Sequence, residues 1–312
     1  MSTPLLSVSL DDKYTATTGR IYLNGIQALV RLMLVQRWRD KAAGMNTAGF
    51  VSGYRGSPIG GIDEAFWHAQ KQLAAESIKF LPGVNEELAA TAVWGTQQVN
   101  LIGESDFEGV FAMWYGKAPG VDRCSDAFKH MSHGGTSAKG GVLLVAGDDH
   151  GAYSSTLPNQ SDHVFSAAMI PYLYPTSVEE YIELGLHAFA MSRFAGLPVG
   201  FKALADTVES SGSIAADNLR IETLLPEDVA FPPDGVHARL STDTGRSRYR
   251  ELPTSSLLKA CSALRWWQKI HRAGTTARCS RRSVRTSLSR CTTATRWTRS
   301  SASCATLRVC RC

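Results

Sequence analysis

An open α/β architecture, with a mostly parallel sheet covered by helices on both faces, is what these 312 residues predict. Three observations carry it. Short apolar runs alternate with longer stretches whose apolar residues recur at helical spacing. Two of the runs, Gly109 to Tyr115 and Gly141 to Gly147, are near-continuous in apolar character, as strands buried on both faces are. Glycine-rich turns follow the runs, where an open parallel sheet places its ligand loops.

The elements follow in order. Asn24 can cap a helix running to about Ala43, with Ile26, Leu29, Val30, Met33 and Leu34 on one face and Gly44 at its end. Thr47 to Tyr54 is an apolar run feeding Gly53-Tyr54-Arg55-Gly56-Ser57-Pro58. The next helix carries Ile62, Phe66 and Leu73 on one buried face, and Ile78 to Leu81 is a short strand. A helix is predicted from Glu86 to about Ile102, with Leu88, Ala92, Val99 and Ile102 inward and Ala89, Ala92 and Gly95 allowing close packing. Val178 to Ala195 has the strongest end signals. Ser177 and Glu180 form a capping box, Ile182, Leu186 and Phe189 a stripe, and Gly196 and Pro198 a stop. Leu197 to Leu204 completes the strands, and no internal repeat is present.

Charge divides the chain. No acid follows Glu251, whereas 13 of the 33 basic residues do, so residues 1–251 carry 28 acidic against 20 basic residues, a net of −8. Only Cys124 lies in that acidic body; the other six cysteines lie beyond it. One cysteine in a body of this size fits a reducing compartment, and with no basic-then-apolar leader the reading is cytoplasmic. No run of about 18 apolar residues suggests a membrane span. From Gly245 onward Arg, Ser, Thr, Ala and Cys follow one another with no helical or strand period. A basic arm for nucleic acid is one reading. A metal or iron–sulfur site is weaker, because Cys-x-x-Cys spacing is absent. The favoured reading is out-of-frame translation of a GC-rich region.

Four segments carry candidate chemistry: Gly53 to Pro58; Gly83-Val84-Asn85-Glu86-Glu87-Leu88-Ala89-Ala90; Met113-Trp114-Tyr115-Gly116-Lys117-Ala118-Pro119-Gly120-Val121-Asp122-Arg123; and Ala146-Gly147-Asp148-Asp149-His150-Gly151-Ala152-Tyr153-Ser154-Ser155. Read on residue types alone, Glu86 and Glu87 are ordinary helix-start carboxylates favoured by the dipole. Gly56 and Pro58 likewise punctuate a strand-to-helix turn. Asp148, Asp149 and His150 have metal-ligand chemistry. His163 and His187 fall on helices as packing residues. No Gly-x-Ser-x-Gly elbow and no phosphate-loop Gly-Lys-Ser/Thr is present, which argues against a hydrolase or a phosphate-loop nucleotide binder.

In this order and spacing the four segments closely resemble the amino-terminal domain of indolepyruvate:ferredoxin oxidoreductases, the long fused form among 2-oxoacid:ferredoxin oxidoreductases, over roughly residues 7–240. The resemblance implies a flavodoxin-like domain that binds the pyrimidine half of thiamine diphosphate, with contacts from Gly53, Tyr54, Gly56, Ser57, Pro58, Asn85 and Glu86. It implies one catalytic glutamate, hydrogen-bonded to the pyrimidine N1′. Relatives place it nine residues before a glycine; Glu86 stands nine before Gly95 and Glu87 eight, so the role falls to Glu86. Ser57 stands where relatives carry a hydroxyl able to reach the 2-oxoacid. Arg55, which replaces a proline common in relatives, Lys117 and Arg123 are candidate substrate or partner-domain contacts. Asp148, Asp149 and His150 are implied to build the interface around the cofactor, and no metal ligand is assigned.

The implied reaction is oxidative decarboxylation of an aryl-pyruvate-type 2-oxoacid to an acyl-CoA, with ferredoxin as acceptor and CoA as second substrate. The Gly-Asp-Gly segment that holds diphosphate and Mg²⁺ has its nearest match in Gly147-Asp148-Asp149, which lacks the third glycine. Mg²⁺ and the [4Fe-4S] clusters are therefore expected from further domains, in the same or another chain. The expected organisation is an N-terminal extension over 1–20, the pyrimidine-binding domain over 21–240 and a disordered, non-native tail over 241–312. The chain is expected to be a cytoplasmic homo-oligomer without nucleic-acid or membrane partners. The alternative is an inactive half-domain that only binds the pyrimidine or a partner domain.

Overall fold

The computed structural model describes residues 9–101, 104–223, 225 and 235–238. The tail predicted over 241–312 and the helix end predicted at Ile102 lie outside the described residues. In chain order the elements are α1 (Asp12–Thr15), β1 (Arg20–Asn24), α2 (Gly25–Ala42), β2 (Thr47–Gly53), α3 (Ile62–His68), α4 (Gln70–Ala75), β3 (Ile78–Phe80) and α5 (Glu86–Thr96). They continue with β4 (Gly109–Lys117), α6 (Ala118–Arg123), α7 (Ser125–Gly134), β5 (Val142–Asp148), α8 (Asp162–Ala167), β6 (Tyr172–Leu173), α9 (Val178–Ala195), β7 (Val199–Leu204), α10 (Ala205–Val208) and β8 (Ser211–Ala215), then a 3₁₀ turn at Asn218–Arg220.

Six strands make one parallel sheet in the order β3-β2-β4-β5-β7-β6, and β1 pairs antiparallel with β8 in a separate ribbon. This is the mostly parallel α/β sheet that the apolar runs predict. Period-two geometry explains why those runs are continuous. In β4, Phe111, Met113 and Tyr115 enter one core with α2, α3 and α9, while Ala112 and Trp114 enter the other with α5, α7 and α8. After β2 the chain places β3 on one side and β4 on the other. The order therefore reverses between β2 and β4, and loops diverge there at the carboxyl edge of the sheet.

The helix starts follow their predicted caps. Asn24 Oδ1 accepts from the Gln27 N–H at 2.8 Å and Gln27 Oε1 accepts from the Asn24 N–H at 3.1 Å, a complete capping box. At α9 half of the expected box forms. Ser177 Oγ accepts from the Glu180 N–H at 3.3 Å, but the Glu180 carboxylate takes the N–H and hydroxyl of Thr176, both at 2.8 Å. Gly196 ends α9 with φ +66°, the left-handed cap that glycine supplies without a Cβ penalty.

Two expectations need correction. Helix α5 ends at Thr96 rather than near Ile102, and its inner face is Glu86, Ala89, Ala90 and Val93. Leu88 and Ala92 face outward, and open space surrounds the Cβ position of Gly95. The cap at Asn85 sets the phase: with Glu86 turned inward, positions three, four and seven later turn inward with it. The helix stops because Gln97, 1% exposed, spends its side chain on other segments. Its amide donates to the Val110 carbonyl at 2.9 Å, and its oxygen accepts from the N–H groups of Ser137 and Gly141 at 3.1 and 3.0 Å. The second correction is His163, which is exposed on α8 and not a packing residue.

Candidate functional site

The four segments singled out in the sequence include the four loops that leave the carboxyl ends of β2, β3, β4 and β5. Parallel pairing brings them to one edge of the sheet, because Gly53 is in register with Tyr115, and Lys117 with Gly147. The first two loops are joined through backbone: the Gly83 N–H donates to the Gly53 carbonyl at 2.8 Å and the Tyr54 N–H to the Tyr115 carbonyl at 3.0 Å.

Glu86 opens α5 directly after its cap, Asn85, whose Oδ1 accepts from the Leu88 N–H at 2.8 Å. A first-turn carboxylate is favoured by the helix dipole, and this one is 5% exposed. Two features hold it there. The Trp114 indole N–H donates to the Glu86 backbone carbonyl at 2.9 Å, and the side chain lies against α6. At Gly120 a Cβ would stand 2.6 Å from Glu86 Cγ, so the glycine makes the room that the carboxylate occupies. Arg123 Nη1 lies 3.9 Å from Glu86 Oε2, with its own side chain 60% exposed. Glu87, by contrast, is exposed.

The structure brings Glu86 together with Arg123, and Gly56 together with Lys117, whose Cδ would lie 2.7 Å from a Cβ at Gly56. Arg55 and Tyr54 are exposed, Ser57 is half-buried and Pro58 is buried behind a cis Ser57–Pro58 peptide. The side chain of Glu86 turns to α6, and it is the backbone of Leu81 and Gly83 that bonds the end of β2, at the carbonyls of Val51 and Gly53. Beneath that turn Tyr115 donates its hydroxyl to the buried Asp63 at 2.6 Å. Burial, then Asp63, pushes the Tyr115 hydroxyl far above the usual tyrosine range, so it stays protonated.

Past β5, Asp148 and Asp149 do different work. Asp148, fully buried, lies 3.2 Å from Lys202 Nζ and accepts from the Ser161 N–H at 3.0 Å and hydroxyl at 2.5 Å. Lys202 is itself 3% exposed and also lies 2.7 Å from Asp162. His150 Nε2 stands 3.8 Å from Asp148. Asp149 accepts from the N–H groups of Tyr153, Ser154 and Ser155 at 3.1, 2.8 and 3.0 Å, and those bonds hold its carboxyl below the usual carboxylate range. No cluster of three or more potential ligands suited to a metal ion occurs among the described residues. Sequence reading missed Lys202, Gly120 and the Trp114 clasp. A lone lysine within the apolar run Val199–Leu204 was the available signal for the first. The other two depend on α6 folding back over α5.

These features define an α/β domain whose ligand loops gather at the reversal point of a parallel sheet. No family model matches the chain. Two curated relatives are similar to it, both named indolepyruvate oxidoreductase subunit IorA. That of Methanothermobacter marburgensis is 26% identical over 216 residues, 69% of this chain and 31% of the relative. That of Methanothermobacter thermautotrophicus is 28% identical over 193 residues, 62% of this chain and 27% of the relative. The chain thus spans less than a third of the length of the curated relatives it matches. Among solved structures, a 2-oxoglutarate:ferredoxin oxidoreductase from Magnetococcus marinus, with 2-oxoglutarate, coenzyme A and succinyl-CoA bound, aligns with a TM-score of 0.55 and 14% identity. The alignment covers 80% of this chain and 46% of that one, and it establishes the shared fold. In sequence the chain is thus similar to indolepyruvate oxidoreductase subunits, and in fold to a 2-oxoacid:ferredoxin oxidoreductase.

Proposed function

We propose that residues 21–240 form the pyrimidine-binding half of a thiamine diphosphate site, in a cytoplasmic enzyme that oxidatively decarboxylates an aryl-pyruvate-type 2-oxoacid to an acyl-CoA. The observation that carries this reading is Glu86, a carboxylate at 5% exposure on the first turn of α5, beside the reversal point of the sheet. Its surroundings fit an aminopyrimidine. The carboxylate is an acceptor matched to a ring-nitrogen proton, and the site is low enough in dielectric for that bond to be strong. Gly120 leaves the room that the Glu86 side chain occupies. When bound, the cofactor supplies the carbon chemistry that removes carbon dioxide.

The residues of the chain bind and orient. Glu86 holds a proton at the pyrimidine N1′, which sets the protonation of the ring. Trp114 fixes the backbone from which Glu86 projects, and Asn85 fixes the start of the helix. Arg123, exposed and 3.9 Å from Glu86, balances the charge of that carboxylate. Arg55 and Lys117 line the turn that faces the 2-oxoacid, where a guanidinium or ammonium can take its carboxylate. The diphosphate, Mg²⁺ and iron–sulfur clusters belong to further domains of the assembly, with CoA and ferredoxin as its other partners.

The test is calorimetric titration of the full chain with thiamine. Glu86→Gln keeps the shape but lacks the ionised acceptor, and it is expected to weaken binding about tenfold or more, the value of one hydrogen bond to a charged group. Glu87→Gln is expected to leave binding unchanged. Equal affinity in wild type and Glu86→Gln overturns the assignment.

A further inference from the structure

We infer that Lys202 is a positioning residue: it fixes the proton of His150 on Nδ1 and so presents a neutral hydrogen-bond donor to a carbonyl oxygen at the carboxyl edge of the sheet. The choice of ligand rests on the function proposed above; the fixing of the proton does not.

Lys202 interrupts the apolar run of β7 at 3% exposure, between Asp148 at 3.2 Å and Asp162 at 2.7 Å, with the Tyr174 ring centre 5.7 Å from its Nζ. Carboxylates from two other elements, β5 and α8, thus hold the ammonium in place. Its hydrogen bond runs to His150 Nε2 at 3.3 Å. An ammonium carries donors only, so Nε2 accepts and must be without a proton. The rival partner of Nε2 is Asp148 Oδ2, which would require a proton there. It lies 3.8 Å away, beyond hydrogen-bond range, and it is already supplied by the Ser161 N–H and by Lys202. The partner of one ring nitrogen sets the tautomer, so the single proton of the neutral ring sits on Nδ1. Among the described residues no group bonds Nδ1, and the side chain is 38% exposed.

The loop that carries His150 touches the turn after β2 on both sides of it. Before His150, a Cβ at Gly147 would lie 3.2 Å from Pro58 Cδ; after it, Ser154 Oγ lies 2.5 Å from Ser57 Oγ. Gly147 is also in register with Lys117. The donor therefore belongs to a loop packed against the turn where Arg55 and Lys117 are proposed to take a carboxylate. Local charge then selects the ligand atom. Asp148 and Asp162 against Lys202 leave one net negative charge, which disfavours a second anion at His150. A carbonyl oxygen accepts without that penalty. The 2-oxo group of the substrate and the amides of coenzyme A both offer one.

Nitrogen NMR of the full chain with ¹⁵N-labelled histidine at pH 8 tests the first part, because protonated and bare ring nitrogens resonate far apart. The His150 signals are identified by their loss in His150→Leu. A protonated Nδ1 and a bare Nε2 are expected in wild type, and a protonated Nε2 overturns the inference. Lys202→Met combined with Asp162→Asn removes the donor and keeps one net negative charge. In that variant the proton is expected on Nε2, and an unchanged spectrum overturns the role of Lys202. Should the variant not fold, the wild-type tautomer decides. Calorimetry with phenylpyruvate and, separately, coenzyme A tests the ligand. His150→Leu is expected to weaken one of them about fivefold, the value of one neutral hydrogen bond, and His150→Asn, whose amide can stand in for Nδ1–H, to restore it. Equal affinity of wild type and His150→Leu for both, or binding of neither by wild type, overturns the ligand assignment. Thiamine binding on the same samples is expected to be unaffected by His150→Leu. If wild type binds no thiamine, the cofactor reading fails, and the nitrogen spectrum still decides where the His150 proton lies.

Discussion

Cys124 is fully buried between α6 and α7, within electrostatic reach of the buried Glu86 and the exposed Glu87. Burial first, then those two carboxylates, push its thiol up to about 12, with Arg123 opposing. Thiol chemistry needs the thiolate, whose population at neutral pH is negligible when the folded pKa lies so high. Native alkylation with iodoacetamide at pH 8, followed by peptide mass mapping, should leave Cys124 unmodified and modify it only after denaturation. Labelling in the native protein would show that this region opens. At this scale the sequence was informative at the ends of strands: Gly53 closes β2, Gly56 and Ser57 follow it, and Asn85 caps the helix that Glu86 opens. It was silent on Lys202, because the charges around that amine come from Asp148, on the neighbouring strand β5, and from Asp162, on the separate helix α8.

Helix α2 shows what an element does beyond its own stripe. The stripe was legible, yet Ala28, Leu32 and Val35 are buried as well, because α9 and the N-terminal segment cover its remaining faces. Gly185 lets α9 approach so closely that a Cβ there would stand 2.3 Å from Leu32 Cδ2. Arg31, at 0% exposure, binds the Asn218 side chain and the carbonyls of Lys13, Ala16 and Ala216 at 2.7–2.9 Å. Burial lowers its pKa to about 10, which leaves it charged throughout the physiological range. A polar interruption of an apolar run thus marks the tie between both ends of the domain. Replacing Arg31 by Leu strands four acceptors, and a loss of about 3 kcal/mol in unfolding free energy is expected from denaturant titration. Arg31→Lys should recover only part of it, since an ammonium cannot span the same four groups. A neutral effect of Arg31→Leu would show that water replaces the guanidinium at little cost. The misphased face of α5 has the complementary lesson. Its outward Leu88 reads as core by periodicity, and only the inward turn of Glu86 at the cap displaces it.

Over the whole molecule, the described helices include none long and apolar enough to cross a membrane. The net charge of +5 conceals an acidic body and a basic terminal stretch. Binding to nucleic acid, if measured, should therefore follow the 13 basic residues after Glu251. A chain ending at Glu251 carries −8, and in a salt-titrated DNA-binding assay it should show no affinity even at 50 mM salt. Retained binding by that shorter chain would place a nucleic-acid surface on the α/β domain. The fold class was legible because alternating runs and helical stripes are local. Strand order was not, since nothing local distinguishes β6 from β7 as the outer strand.

Both margins of the six-stranded sheet are short, three residues at β3 and two at β6. A margin so brief offers few free amide and carbonyl groups to a foreign strand, so lateral growth of the sheet into fibres finds little template.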